Sequence, residues 1–252
     1  MEWTVAVDGR PWEATFGFVW NLRFSLSGDR IGVAIQQDMR YGVAVDDQAW
    51  PDLFDTAGDF VLSPDGRHAA AAVQVAPMGT ADIEAFQKGC FSVAVDAKAW
   101  ESAFVNVWSP VFDASGERVA VQGRRSLYDY TIAVDGVPWD QDFAGVWEPA
   151  FHPGTGAVAA PVRSQGKWGM AENGLLVWPA RYGQLWHPVF DESGSALAAI
   201  AAPSYGRFTV VVNDRPWQTT YSVVTDLAVS RDGRHAGALG KEEGAWSVIV
   251  DD

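Results

Sequence analysis

The sequence predicts an all-β fold, a six-bladed β-propeller of four-stranded antiparallel blades, on three observations. First, an acidic or amide residue closes an apolar strand at Asp8, Asp46, Asp96, Asp135, Asn173, Asn213 and Asp251, at spacings of 38, 50, 39, 38, 40 and 38 residues. Second, an aromatic stands five residues before each of these seven, and a Trp follows six of them four or five residues on. Third, short apolar strands alternate with turn residues, and no stretch of the repeat has helical periodicity. A unit of about forty residues with four strands selects a propeller, whose blades bury both sheet faces against their neighbours.

Each unit reads in the same order. An inner strand carries Val-Trp-x-Pro-x-Phe, as at Val107–Phe112 and Val146–Phe151. A turn follows, such as Ser63-Pro64-Asp65-Gly66 or Arg231-Asp232-Gly233, whose Gly permits a positive φ. The second strand is small and β-branched (Val119 to Val121, Ala69 to Val73), and the third runs from the aromatic to the Asp, as in Tyr130 to Asp135. Asp8-Gly9, Asp135-Gly136 and Asn173-Gly174 have the composition of two-residue type I′ turns. The outer strand holds Trp12, Trp50, Trp100, Trp139, Trp178 or Trp217, with Phe16, Phe54, Phe104, Phe143, Tyr182 or Tyr221 four residues later.

The whole chain, 1–252, is expected to form one such domain. Third-strand segments number seven against six inner strands, so both chain ends are expected to build the closing blade. The short loop before Trp246 favours pairing 246–251 with its own preceding strand, because local hairpins lose least closure entropy. The expected blade is therefore 221–229, 234–240, 246–251 and 10–16, with 3–8 as a fifth, outermost strand; the alternative seats 3–8 third, with 246–251 displaced or paired with another chain.

All 13 tryptophans fall on repeat positions: six outer, four inner (Trp20, Trp108, Trp147, Trp186) and three opening the third strand (Trp3, Trp168, Trp246). Recurrence at one structural position points to packing. Gly58 and Thr225 stand where two inner strands lack the Trp, which predicts open space there.

Composition narrows function. Apolar residues make up 48% and aromatics 13%, which excludes disorder. The net charge of −14 argues against nucleic acid and anionic membrane surfaces as partners. Neither a signal peptide at Met1–Val5 nor an apolar run long enough to span a bilayer is read, so a cytoplasmic protein without direct membrane insertion is expected. Cys90, the single cysteine, excludes an internal disulfide and a Cys-ligated cluster.

No catalytic residue, metal ligand or cofactor is expected. His68, His152, His187 and His235 border repeat motifs and lack metal-motif spacing. The recurring Asp residues are accounted for by Asp-Gly turns, and neither a Gly-x-Ser-x-Gly elbow nor a phosphate loop occurs.

Two features break the repeat. The 50-residue spacing carries roughly 11 extra residues, an insertion at about 74–90 between Val73 and Phe91. Thr80 is expected to cap a helical turn through Phe86, presenting Met78, Ile83 and Phe86 on a protruding loop. Charge is also sorted: turns after strands one and three carry fifteen acidic and eight basic residues, a net −7, whereas turns after strand two carry a net +2. The insertion sits at the less acidic end, with Lys88, and with Arg124-Arg125 in the next repeat. Met78, Ile83, Phe86, Lys88, Arg124 and Arg125 are the candidate contacts for a protein partner.

The run Ala133 to Phe151, repeated less completely at Ala6 to Phe24, carries a family resemblance together with Ser63–Gly66. The Ser-Pro-Asp-Gly hairpin resembles WD40-like propeller repeats of the kind in the six-bladed half of the Tol-system periplasmic protein. The denser Trp pattern is similar to the tryptophan-rich subunit of the Tmc transmembrane electron-transfer complex of sulfate-reducing bacteria. That resemblance implies a cytoplasmic accessory subunit, peripheral to a membrane redox complex and without cofactors of its own. Function is accordingly expected to be non-catalytic docking to subunits of a redox complex. The alternatives are a carbohydrate-binding propeller, suggested by the repeated aromatics, and a metal-dependent hydrolase or lactonase.

Overall fold

The computed structural model describes residues 2–79 and 82–252. They form a succession of antiparallel sheets, and the repeat phase read from the sequence sets their boundaries. Phe18–Phe24, Ile31–Gln37, Arg40–Val45 and Gln48–Ala49 make the first four-stranded sheet. Ala57–Leu62, Ala69–Gln74, Phe91–Val95 and Lys98–Ala99 make the second, and Asn106–Phe112, Val119–Arg124, Tyr130–Val134 and Val137–Pro138 the third. In the fourth, the inner strand is split into Gly145–Val146 and Ala150–Phe151, which both pair with Val158–Ser164; Lys167–Glu172 and Leu175–Tyr182 follow. Gln184–Phe190, Leu197–Ser204, Arg207–Val212 and Arg215–Pro216 make the fifth. This series of four-stranded sheets is that of a β-propeller.

The chain divides into two compact units, 1–127 with 133–138, and 128–132 with 139–252. In the first, apolar clusters lie between successive sheets: Ala34, Val43 and Trp50 pack with Phe60, Ala71 and Val73, and Ala70 and Val93 with Phe104, Val107 and Val121. In the second, Met170 and Trp178 pack with Leu185 and Ala199, and Ile200, Val210 and Trp217 with Val224, Leu227 and Ala238. Second strands contribute to a cluster on either face, as Ile31–Gln37 does through Ala34 on one and Val33 and Ile35 on the other, which is why their sequences are nearly continuously apolar.

The residue that closes the third strand performs the same task in six of the seven repeats. Its side-chain oxygen accepts the backbone N–H of the first residue of strand two: Asp46 from Ile31 at 2.9 Å, Asp96 from Ala69 at 3.0 Å, Asp135 from Val119 at 2.8 Å, Asn173 from Val158 at 3.0 Å, Asn213 from Leu197 at 2.9 Å and Asp251 from Ala236 at 2.8 Å. The turn demands a positive φ of this residue, for instance 51° at Asp135 with 83° at Gly136, as type I′ geometry requires.

The ends of the chain differ from expectation. Ala6–Val7 pairs with Arg10–Pro11 as a two-stranded sheet, and Trp3 bridges Phe16. Val223–Val229, Ala236–Glu242 and Ala245–Val250 form a separate three-stranded sheet. Residues 246–251 thus take the third position as expected. Residues 10–16 pair with 3–8, as expected of a fourth and a fifth strand, in a sheet of their own. Seven sheets are formed among the described residues, where six blades were expected.

Asp191 shows how far the turns stabilise charge. It is buried in the turn before Leu197. Burial alone would raise its pKa, but the Ser193 hydroxyl, the Ala196 and Ser193 amides and the Ser195 hydroxyl donate to it and hold the value down at about 2, below its ordinary 3.8. A carboxyl depressed in the folded state contributes stability that is present above its unfolded pKa and lost as pH falls through the folded one. Between pH 4 and pH 2 the protein should therefore lose about 2 kcal/mol more stability than an Asp191→Asn variant, read by urea unfolding at each pH.

Candidate docking surface

The insertion is anchored at its root. Val75 N–H donates to Cys90 O at 2.8 Å, and the Gln74 amide to Ala76 O at 2.9 Å. Cys90 is buried, with its thiol directed at Ala85 O at 3.2 Å. Gly89 has φ 98°, and a Cβ there would lie 2.9 Å from Phe104 N, so the chain returns to the sheet at a point where only Gly fits. Between these anchors Ile83–Lys88 forms a six-residue helix. Its N-cap is Asp82, which accepts Ala85 N–H at 2.9 Å; the cap expected at Thr80 lies outside the described residues. Glu84 in the first turn and Lys88 in the last complement the helix dipole.

Met78 and Ile83 are exposed, Ile83 to 65%, while Phe86 is half-buried and Lys88 exposed. One insertion thus brings four of the six candidates together. At its base lies a cleft of about 600 Å³ whose walls include Arg40, Leu53, Phe54 and Gln74 to Pro77. The two arginines stand apart from the insertion in role. Arg124 is turned onto its own hairpin, donating to Ser126 O at 3.0 Å and Leu127 O at 2.8 Å, so it caps that turn; Arg125 is exposed.

Several acidic turn residues have side-chain partners that the charge count did not resolve. Arg30 meets Asp46 at 2.9 Å, Arg118 meets Asp135 at 2.9 Å, and His68 and His235 occupy the same position beside Asp96 (2.6 Å) and Asp251 (2.5 Å). The hydrogen bond to Asp251 raises the His235 pKa, and the reciprocal bond lowers that of Asp251. Among the described residues no group of three or more His, Cys, Asp or Glu is placed to hold a metal ion.

The tryptophans divide by position. Trp50, Trp139, Trp178 and Trp217 of the outer strands are buried, as packing predicts. The inner Trp instead leans on the third-strand opener of its own sheet: Trp20 on Tyr41 with ring centroids 6.1 Å apart, Trp147 on Trp168 at 5.7 Å and Trp186 on Phe208 at 5.7 Å. Trp20, Trp168, Trp186 and Phe208 of these pairs are half-buried against the apolar clusters, as packing predicts, whereas Trp3, Trp108, Trp147 and Trp246 are exposed. Gly58, which lacks the Trp, does open space: with Arg23, Ala72 and Trp108 it lines a cleft of about 460 Å³.

Sequence reasoning overlooked a further set, the polar x of the inner-strand motif. Register slips occur at this point, and Asn21, Ser109, His187 and Asp226 adopt positive φ of 49–57° there. Within one unit Asn21 donates to Asp59 at 3.2 Å, and within the other His187 N–H donates to Glu148 at 2.8 Å. The available signal was a polar residue in an otherwise apolar strand, beside Trp at Asn21, Ser109 and His187 and beside Thr225 at Asp226.

No family model matches this sequence, and no curated protein matches it in sequence. Among solved structures, the chain is similar to prolyl oligopeptidase B from Galerina marginata, with a TM-score of 0.52 and 8% identity over 93% of this chain and 40% of that one. It is similar to a structure from an analysis of two prolyl endopeptidases at a TM-score of 0.51 and 10% identity, over 93% of this chain and 42% of that one. The β-propeller domain of the Trilobed protease from Pyrococcus furiosus aligns at a TM-score of 0.47 and 13% identity, over 94% and 83%. This chain therefore spans about two fifths of the two peptidase chains, and what it shares with them is the fold alone.

Proposed function

We propose that this chain is a six-bladed, non-catalytic docking propeller, an accessory subunit of a cytoplasmic-side electron-transfer assembly. The carrying observation is the insertion, a rigidly rooted loop that exposes Met78 and Ile83 beside a cleft of about 600 Å³. Apolar side chains held out on an anchored loop lose little entropy when a partner covers them, and loops that break a repeat gather on binding faces. The turns after strand two, which include this one, are the less acidic end, so an acidic or mixed partner surface meets least repulsion there. The redox assignment is supported by the Trp-rich motif from Ala133 to Phe151 and by the lone Cys90, which leave electron carriers to other subunits. The blade count takes the five four-stranded sheets and the Val223–Val250 sheet as six.

The test is affinity capture of the tagged chain from its native cells. Redox subunits are expected to co-purify, and Met78→Asp with Ile83→Asp should reduce their recovery at least tenfold. Because both residues are exposed, the melting temperature should stay close to that of the unaltered chain. Undiminished recovery by the double variant would remove the insertion from the account, and a chain that purifies alone would remove the assembly.

A second reading, carbohydrate binding, is favoured by one observation. Phe18, Trp20 and Tyr41 line an open cleft of about 390 Å³, with the Phe18 and Trp20 rings stacked at 5.8 Å. Glycan-array binding that disappears with Trp20→Ala would support it; an array without signal would end it.

A further inference from the structure

The inner strands depart from their repeat at two positions that the fold brings together. Gly58 stands where Trp20, Trp108, Trp147 and Trp186 each carry an indole. Three residues beyond that position five repeats have a small apolar residue, Val61, Val111, Ala150, Val189 or Ala228, whereas the first has Arg23. Arg23 and Gly58 line the same cleft of about 460 Å³, together with Asp59 and Trp108. Three successive sheets contribute to it, and every residue that lines it belongs to one compact unit. Its volume falls among those of small-molecule sites, roughly 300–1,000 Å³.

The seat of the missing indole has not been closed over. A Cβ on Gly58 would meet only Ala72, 3.6 Å from its Cβ and 3.7 Å from its carbonyl oxygen, which is ordinary contact. In four other repeats the same seat holds an indole, so its natural occupant is a planar aromatic group of that size.

The charged groups beside the seat are held by one residue. Arg23 Nε donates to Asn21 Oδ1 at 3.2 Å, and Asn21 Nδ2 donates to Asp59 Oδ1 at 3.2 Å. Arg23 also lies over the Phe60 ring, 5.6 Å from its centroid, which further restrains the guanidinium. Beyond these bonds, a guanidinium fork has terminal N–H groups to offer a carboxylate, and Asp59 has a second oxygen to offer an ammonium. A ligand bearing only an anion would meet Asp59, and one bearing only a cation would meet Arg23. A zwitterion satisfies both.

We propose that the Gly58 cleft binds a free aromatic α-amino acid, with tryptophan the one whose side chain matches the absent indole. The ligand's indole takes the seat at Gly58 beside Trp108, its carboxylate pairs with Arg23 and its ammonium with Asp59. The site shares no residue with the insertion, so it stands or falls apart from the docking reading.

The test is equilibrium dialysis of the full chain against tritiated L-tryptophan, followed by competition with analogues. Saturable one-to-one binding is expected. Tryptamine, which lacks the carboxylate, and indole-3-propionate, which lacks the ammonium, should each compete at least tenfold more weakly than tryptophan. Gly58→Trp and Arg23→Val restore what the other repeats carry, so both variants should fold, as melting temperatures would show. Gly58→Trp should abolish binding and Arg23→Val should weaken it at least tenfold. Leu26→Asp, at an exposed position elsewhere, should leave it unchanged. Absence of saturable binding, or undiminished binding by folded Gly58→Trp, overturns the proposal. Equal competition by either analogue overturns it as well, because the charge pair would then play no part. The analogue series uses the unaltered chain, so it decides the matter even if a variant fails to fold.

Discussion

The bond from a turn side chain to the first amide of strand two is the constraint on which the repeat depends. Strand two is the central strand of each sheet, and its first N–H faces the end of the third strand rather than a ladder partner. Left unpaired there, each amide would lose the free energy of a missing hydrogen bond. Asp46, Asp96, Asp135 and Asp251, with the amides of Asn173 and Asn213, supply the acceptor and simultaneously set the positive φ of the turn. One residue thus fixes register between strands two and three and the exit direction of the outer strand. The second carboxylate oxygen is left for Arg30, His68, Arg118 or His235, a solvent-screened pairing of small energetic weight.

Once the strands are registered, the remaining binding energy is hydrophobic and lies between sheets. Small residues such as Ala34, Ala71 and Ala199 let neighbouring sheets approach, and Trp50 and Trp178 of the outer strands fill the space between them. Such an array consumes its aromatics in proportion to the completeness of its sheets. Two breaks in the pattern leave accessible surface, the exposed side chains of the insertion and the cleft at Gly58.

Much of this was legible because it is periodic. The closing Asp or Asn, the outer Trp and the aromatic four residues on occur at fixed spacing, and each marks a backbone requirement that any copy of the unit must meet. The seat of 246–251 followed from loop length. What periodicity hides is whatever depends on neighbours. The exposure of Trp108 and Trp147 is decided by what packs over them, and their sequence positions are identical to those of half-buried equivalents. The split between Arg124, bound to its own hairpin, and the insertion was likewise invisible, because two adjacent arginines read alike until the backbone carbonyls of Ser126 and Leu127 are placed. The register slips at Asn21, Ser109, His187 and Asp226 had a faint signal only, a polar residue within an otherwise apolar strand.

The most direct test of the turn constraint is urea unfolding of Asp135→Ala and Asp135→Asn beside the unaltered chain. Loss of the acceptor for Val119 N–H should destabilise the Ala variant by about 1–3 kcal/mol. The Asn variant should retain most of that stability, since Asn173 and Asn213 perform the same task in their own sheets. Equal loss in both variants would locate the contribution in the exposed Arg118 pair instead, and the absence of loss in either would contradict the account.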